Sequence, residues 1–179
     1  VLLKSVGCAF LLAWAGLPIP ATAVQLPSDC AGLFAAIGDD QNLEQDLSTF
    51  SAHLKILGEV LRTARTGDLV LVDEIATGTS PEEGEPLAQA FLEKLLQDEV
   101  RFLITTHYRG LKHFAMSDDR VRIAAMAFDS RSRAPTFEIV LDVPGDSSAI
   151  EAAEKMGIPG DVLERARALQ GLVSEDLSK

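Results

Sequence analysis

Basic residues are scarce in this chain. Its 179 residues include 16 Lys and Arg against 27 Asp and Glu, a net charge of −11. Such a surface repels phosphate backbones, which excludes these residues as the main grip on a nucleic acid. Cysteine is nearly absent. Cys8 and Cys30 form no CxxC pair and match no metal spacing, so no zinc site is expected, and reduced, buried thiols in a cytoplasmic protein are the reading. The apolar run from Cys8 to Leu17 is shorter than the roughly 20 residues that cross a bilayer, so no membrane role is expected. Internal repeats and low-complexity tracts are lacking as well. What is present is an ordinary globular balance, 47% hydrophobic and 24% charged, with room for one sizeable core and a small appendage.

The amino terminus imitates a secretory signal. Lys4, the apolar run and Ala21-Thr22-Ala23 stand where a basic start, a hydrophobic stretch and a cleavage site would stand. The chain opens on Val1 rather than methionine, however, as a piece of a longer protein would. Pro18 and Pro20 end the run as prolines end a helix. A first helix over residues 1–16, apolar nearly all round and buried, is expected instead.

The most informative stretch is Leu69-Val-Leu-Val-Asp73-Glu74, followed by Gly78-Thr79-Ser80-Pro81-Glu82-Glu83-Gly84. A second apolar run, from Val100, ends in Thr105-Thr106-His107. Short runs that are apolar at every position suit strands of a parallel sheet, covered on both faces. Ligands of such sheets bind at the carboxyl ends of the strands, where both runs place their polar residues. Asp73 offers hard oxygens suited to Mg²⁺, Glu74 is suited to polarising an attacking water, and His107 to reaching a terminal phosphate. The plainer alternatives are a solvated acidic edge pair and a structural histidine. Adjacent acids repel, though, and a buried strand gives little reason to join them without a cation. The pattern points to nucleotide hydrolysis.

Around these runs the sequence predicts short strands at Val24–Leu26 and Leu33–Ile37, then a polar loop. A helix from Thr49 to Ala64 follows, with Phe50, Leu54, Leu57, Leu61 and Ala64 on one face and Ser48 as its N-cap. The next helix starts after Ser80, with Pro81 in its first turn, Glu82 and Glu83 against the dipole, and Leu87, Phe91, Leu92 and Leu95 buried. Leu111–Met116 reads as a short helix. Ile123–Phe128 and Thr136–Val143 read as an antiparallel pair with one solvated face. Two helices, 147–156 and 159–172, close the chain in the outline of a helix-turn-helix. The second carries Asp161 and Glu164 beside Arg165 and Arg167, so a packing or dimerisation element is expected rather than a DNA-reading head. The boundary between main domain and helical segment is placed between residues 145 and 146. His53 and His113 sit in helical patterns and receive no role.

Taken together, these segments resemble the ATPase domain of the MutS family, one of the ABC-type ATPases, and most closely its bacterial MutS-two branch. Leu69–Glu74 matches the Walker B strand, Gly78-Thr79-Ser80 the D-loop, and Thr105-Thr106-His107 the family's switch motif. Leu47-Ser48-Thr49-Phe50 is similar to the serine-threonine motif that stands in for the ABC signature, and Gln41 to the Q-loop position. The resemblance implies an α/β fold, an ABC-type P-loop NTPase sheet flanked by helices, with a carboxyl-terminal helix-turn-helix-like dimerisation element. The family's glycine-rich phosphate-binding loop would lie immediately before Val1. ATP and Mg²⁺ are the implied cofactors, with Asp73 on the metal, Glu74 as general base and His107 as γ-phosphate sensor. Gln41 and Thr79 would contact the nucleotide, and Ser48 and Thr49 would act on nucleotide held by the partner of a homodimer. DNA, branched or mismatched, and stalled ribosomes are the implied targets, reached through parts outside this chain, as is an associated nuclease domain. One rival reading is a non-catalytic dimerisation or scaffold module. Another is a transporter ATPase, against which Ser48-Thr49-Phe50 and the lack of an LSGGQ-like sequence both count.

Overall fold

The structure, a computed structural model, describes residues 1–38, 49–129, 134–143, 145 and 149–176. The chain divides into two compact units, Val1–Ile123 and Ala124–Lys179. The antiparallel pair thus groups with the terminal helices, whereas the sequence reading placed it in the first domain.

The first unit is built on a parallel sheet of β1 (Leu33–Ala36), β2 (Leu69–Val72) and β3 (Arg101–Ile104), in that order. Register runs from Leu33 beside Leu69 beside Arg101 to Ala36 beside Val72 beside Ile104. The central strand β2 is buried at every position, as its unbroken apolar run requires. Alternation divides its side chains between two layers. Val70 and Val72 join the core formed with α2 (Thr49–Thr63), α3 (Pro81–Gln97) and α4 (Arg109–Ser117), whereas Leu69 and Leu71 join Leu3 and Phe10 of α1 (Leu2–Trp14). Gly7 lets α1 approach closely, since a Cβ there would stand 3.1 Å from Leu71 Cδ1.

Asp68, just before β2, is a buried carboxylate that accepts hydrogen bonds from Gly32 N (2.6 Å) and Arg65 N (2.9 Å). It pins the start of β1 to the start of β2. Arg101 donates to Gly67 O and to both carboxylate oxygens of Asp29, which fastens the same end of the sheet.

Several expectations are corrected here. Helix α1 buries only one stripe, Leu3, Gly7 and Phe10, and leaves Leu11 and Trp14 exposed. Cys8 lies on the exposed side, while Cys30 is buried and burial raises its thiol pKa. Val24–Leu26 forms no strand. In α3 the buried face is Gly84, Ala88, Phe91, Leu92 and Leu95, and Leu87 is 41% exposed. Small residues at 84 and 88 admit a close neighbour, and Leu87 falls beside that stripe. Ser80 occupies the N-cap position of α3 with Pro81 after it, though its side chain makes no capping bond. The proposed cap Ser48 of α2 lies outside the described residues.

The second unit contains β4 (Ala124–Phe128) paired antiparallel with β5 (Pro135–Leu141), Ala124 opposite Leu141 and Met126 opposite Ile139. One solvated face was expected, but Ile139, Val140 and Leu141 are all exposed, so both faces of β5 are open. Helices α5 (Ala149–Lys155) and α6 (Gly160–Asp176) follow. They are joined through Gly157 at φ 81° and tied by Arg167 Nη2 to Glu154 Oε2 (3.1 Å). Among the described residues no helix is long and apolar enough to cross a membrane.

Candidate functional site

The parallel ladder carries its hydrogen bonds past the end of β2. Asp73 N donates to Ala36 O (2.8 Å) and Thr105 N to Val72 O (3.0 Å), so Asp73 stands between the ends of β1 and β3. Thr105 then links both acids. Its hydroxyl donates to Asp73 Oδ1 (2.6 Å) and accepts from Glu74 N (2.8 Å). One carboxylate oxygen of Asp73 is thereby oriented, and the backbone of Glu74 is fixed next to it. Asp73 is half-buried and Glu74 exposed.

Glu74 has φ 49° and Ala76 φ 57°, left-handed values that residues with a Cβ adopt at a cost of about 1–3 kcal/mol each. The chain turns sharply enough there to leave the sheet and enter α3. Gly78, at φ 93°, completes the turn and sits against α2, where an added Cβ would be 3.2 Å from Phe50 Cβ. Thr79 donates its hydroxyl to Glu83 Oε2 (3.0 Å).

A cleft of about 470 Å³ opens beside the acids, lined by Ala35 to Gly38 at the end of β1, by Ala52, His53 and Ile56 of α2, and by Asp73, Glu74 and Thr77. The carboxyl edge of the sheet is therefore a concavity with carboxylates on its wall. His107 is exposed at the end of β3, its ring 4.7 Å from that of Tyr108, and does not line this cleft. Thr49 opens α2, while Gln41 and Ser48 lie outside the described residues.

The oxygen donors suit Mg²⁺ in kind. Among the described residues no three His, Cys, Asp or Glu side chains gather as a cage. Mg²⁺ commonly takes one or two carboxylates and completes its shell with water and substrate phosphates. The Asp73 carboxylate, with one oxygen oriented by Thr105, fits that arrangement.

Sequence reasoning assigned His53 no role, and the structure sets it beside the acids. Its Nε2 is buried with no hydrogen-bond partner among the described residues, in the wall of the same cleft as Asp73 and Glu74. Burial lowers its pKa from the ordinary 6.5. As pH falls below 6.5 the unfolded chain takes up this proton before the folded one. The stability contributed by the neutral imidazole is thus complete above 6.5 and lost as pH drops through the lowered value. Wild type should lose more urea resistance between pH 7.5 and 5.5 than His53→Gln does. Equal losses in the two proteins count against a buried neutral imidazole.

Residues 1–173 match the family described as MutS domain V. Over its full length the chain is 43% identical to a Thermomicrobium roseum protein named Endonuclease MutS2, covering 23% of that protein. It is 45% identical, over 94% of its length, to a protein of the same name from Thermus thermophilus, covering 22% of it. A third, from Fusobacterium nucleatum, is 38% identical over the whole chain, which covers 23% of that relative. The chain thus spans less than a quarter of the length of these relatives. A family match across nearly every residue, with identities of this size and an acidic turn joined to a Thr-Thr-His segment at the sheet's carboxyl edge, places the chain in the MutS family as a domain V of MutS2 type.

Proposed function

We propose that this domain binds and hydrolyses ATP with Mg²⁺, as an ABC-type P-loop ATPase working in a homodimer within a longer cytoplasmic protein. The observation that carries this reading is the Thr105 hydroxyl shared between Asp73 Oδ1 and Glu74 N at the carboxyl edge of a parallel sheet. It orients a metal-binding carboxylate and sets the following glutamate beside it, as hydrolysis of a phosphoanhydride by water demands. Mg²⁺, when bound, supplies neutralisation of the developing phosphate charge. Asp73 holds that ion, Glu74 takes the proton from water, and His107 reads the terminal phosphate. Thr79 enters through the loop that its bond to Glu83 shapes. Gln41 contributes from its own subunit, and Ser48 and Thr49 complete the partner's site, the positive end of the α2 dipole favouring an anion.

The nucleic-acid role rests on the relatives, which are named as endonucleases. We propose DNA, branched or mismatched, as the target of the whole protein and stalled ribosomes as a second one. The net charge of −11 assigns the contacts with either to parts beyond this domain. Hydrolysis here would move those parts.

The metal assignment gives the test. In the full-length protein, Asp73→Asn removes one negative charge and leaves the size of the side chain. Half-saturating Mg²⁺ for hydrolysis should rise about tenfold, equivalent to about 1.4 kcal/mol. ATP binding measured in EDTA should not change. An unaltered Mg²⁺ dependence refutes Asp73 as the ligand.

A further inference from the structure

We infer that Tyr108 is a positioning residue that ties the His107 segment to the acidic turn, so that engagement of the histidine sets the placement of Glu74. This rests on the ATPase reading above. Tyr108 is only 3% exposed, and its hydroxyl donates to Ala76 O at 2.8 Å across 32 residues of sequence. The turn it grips is an unusual one. Glu74, Ala76 and Gly78 all have positive φ, and such a turn persists only where its surroundings over-determine it.

The surroundings come from one short segment. Glu74 N donates to Thr105 Oγ1 (2.8 Å), Ile75 N to Thr105 O (3.2 Å), and Ala76 O accepts from Tyr108. Three successive residues of the turn each hang from Thr105 or Tyr108. Tyr108 N in turn donates to Thr106 Oγ1 (3.0 Å), which stiffens the segment itself.

Two glycines make the fit. A Cβ at Gly84 of α3 would overlap the Tyr108 hydroxyl and come within 2.9 Å of Ala76 O. A Cβ at Gly110 of α4 would overlap the Glu85 carboxylate. The helices thus interlock reciprocally around the Tyr108 ring. Burial, and to a lesser degree the Glu85 charge, raise the phenol pKa, so the hydroxyl stays a donor throughout the neutral range. His107, the preceding residue, remains exposed. A shift of its backbone on meeting a phosphate would therefore pull on Ala76 O and, through the turn, on Glu74 and on Gly78-Thr79.

Tyr108→Phe in the full-length protein keeps the ring and deletes one hydroxyl. The expected result is a fall in kcat of about tenfold with the KM for ATP within about twofold, a split that marks a transition-state effect. Amide exchange at residues 74–78 should rise about tenfold while the rest of the sheet is unchanged, because a local rather than a global opening is made easier. Gly84→Ala, which crowds the same hydroxyl, should reproduce both changes. Glu74→Gln measured alongside separates this inference from the reading beneath it. If Glu74→Gln is inactive and Tyr108→Phe turns over normally, the coupling is overturned and the ATPase reading stands. If Glu74→Gln hydrolyses ATP normally, Glu74 is not the base and the reading beneath this inference loses that residue, and exchange at 74–78 decides whether Tyr108 holds the turn. A uniform rise in exchange together with a lowered melting temperature shows a merely structural tyrosine and overturns the proposal.

Discussion

Glu74→Gln should nearly abolish ATP hydrolysis in the full-length protein while leaving ATP binding intact. A positioned general base is worth about 10²–10⁴-fold in rate, and the amide cannot take a proton from water. The substitution is a clean one in this structure. Glu74 is exposed, so no core packing is disturbed. Its link to Thr105 runs through the backbone N–H, which glutamine retains, and Asp73 keeps its own bond to the same hydroxyl. Turnover and nucleotide binding should therefore separate: single-turnover hydrolysis slows by at least a hundredfold, while the dissociation constant for ATP–Mg²⁺ stays close to that of wild type. Near-normal turnover by Glu74→Gln would falsify the assignment of this residue as the base.

Mixing two inactive variants should restore activity, and this second result separates a composite ATPase from a scaffold. One variant carries Ser48→Ala with Thr49→Ala, the other Glu74→Gln. In the proposed homodimer each site takes Asp73, Glu74 and His107 from one subunit and Ser48 and Thr49 from the other. A mixed dimer then has one site with both lesions and one with neither. With free exchange half of the dimers are mixed, and each has one working site in two. The mixture should reach roughly a quarter of wild-type activity if the sites act independently. The contact of Gly78 with Phe50 places the turn after the acids beside the first turn of α2, which opens at Thr49. If both elements serve the same subunit's nucleotide, every chain in the mixture still carries its own defect. A mixture as inactive as its components, after exchange is verified by tag pull-down, rejects the composite site.

Much of the first unit was legible in the sequence for local reasons. Four apolar residues in a row before Asp73 demanded a strand covered on both faces, and β2 is the most deeply buried strand. Ser80-Pro81-Glu82-Glu83 announced a helix start through proline's fixed φ and the dipole, and α3 begins at Pro81. The apolar spacing in α2 located Leu57, which is buried, and Leu54, Leu61 and Ala64, which pack against the same core, though it did not mark the buried Val60. Each of these signals lies within one element and follows that element's own period.

Where sequence reasoning went astray, the missing quantity was what each surface meets. The composition of α1 implied burial all round, but only the stripe of Leu3, Gly7 and Phe10 faces the sheet, and Cys8 is left outside. Leu87 looked like core, yet the neighbours of α3 come close enough to require Gly84 and Ala88 instead.

The sequence alone determined that two carboxylates would end a buried parallel strand and that a threonine pair with a histidine would end another. Only the tertiary structure decided that the Thr105 hydroxyl lies between Asp73 and the Glu74 backbone, that His53 shares their cleft, and that Tyr108 grips Ala76. The reason is physical. Hydrophobic periodicity records which side of an element is dry, whereas contacts between residues some thirty positions apart depend on strand register and on how closely helices approach, and those are set by packing many residues at once.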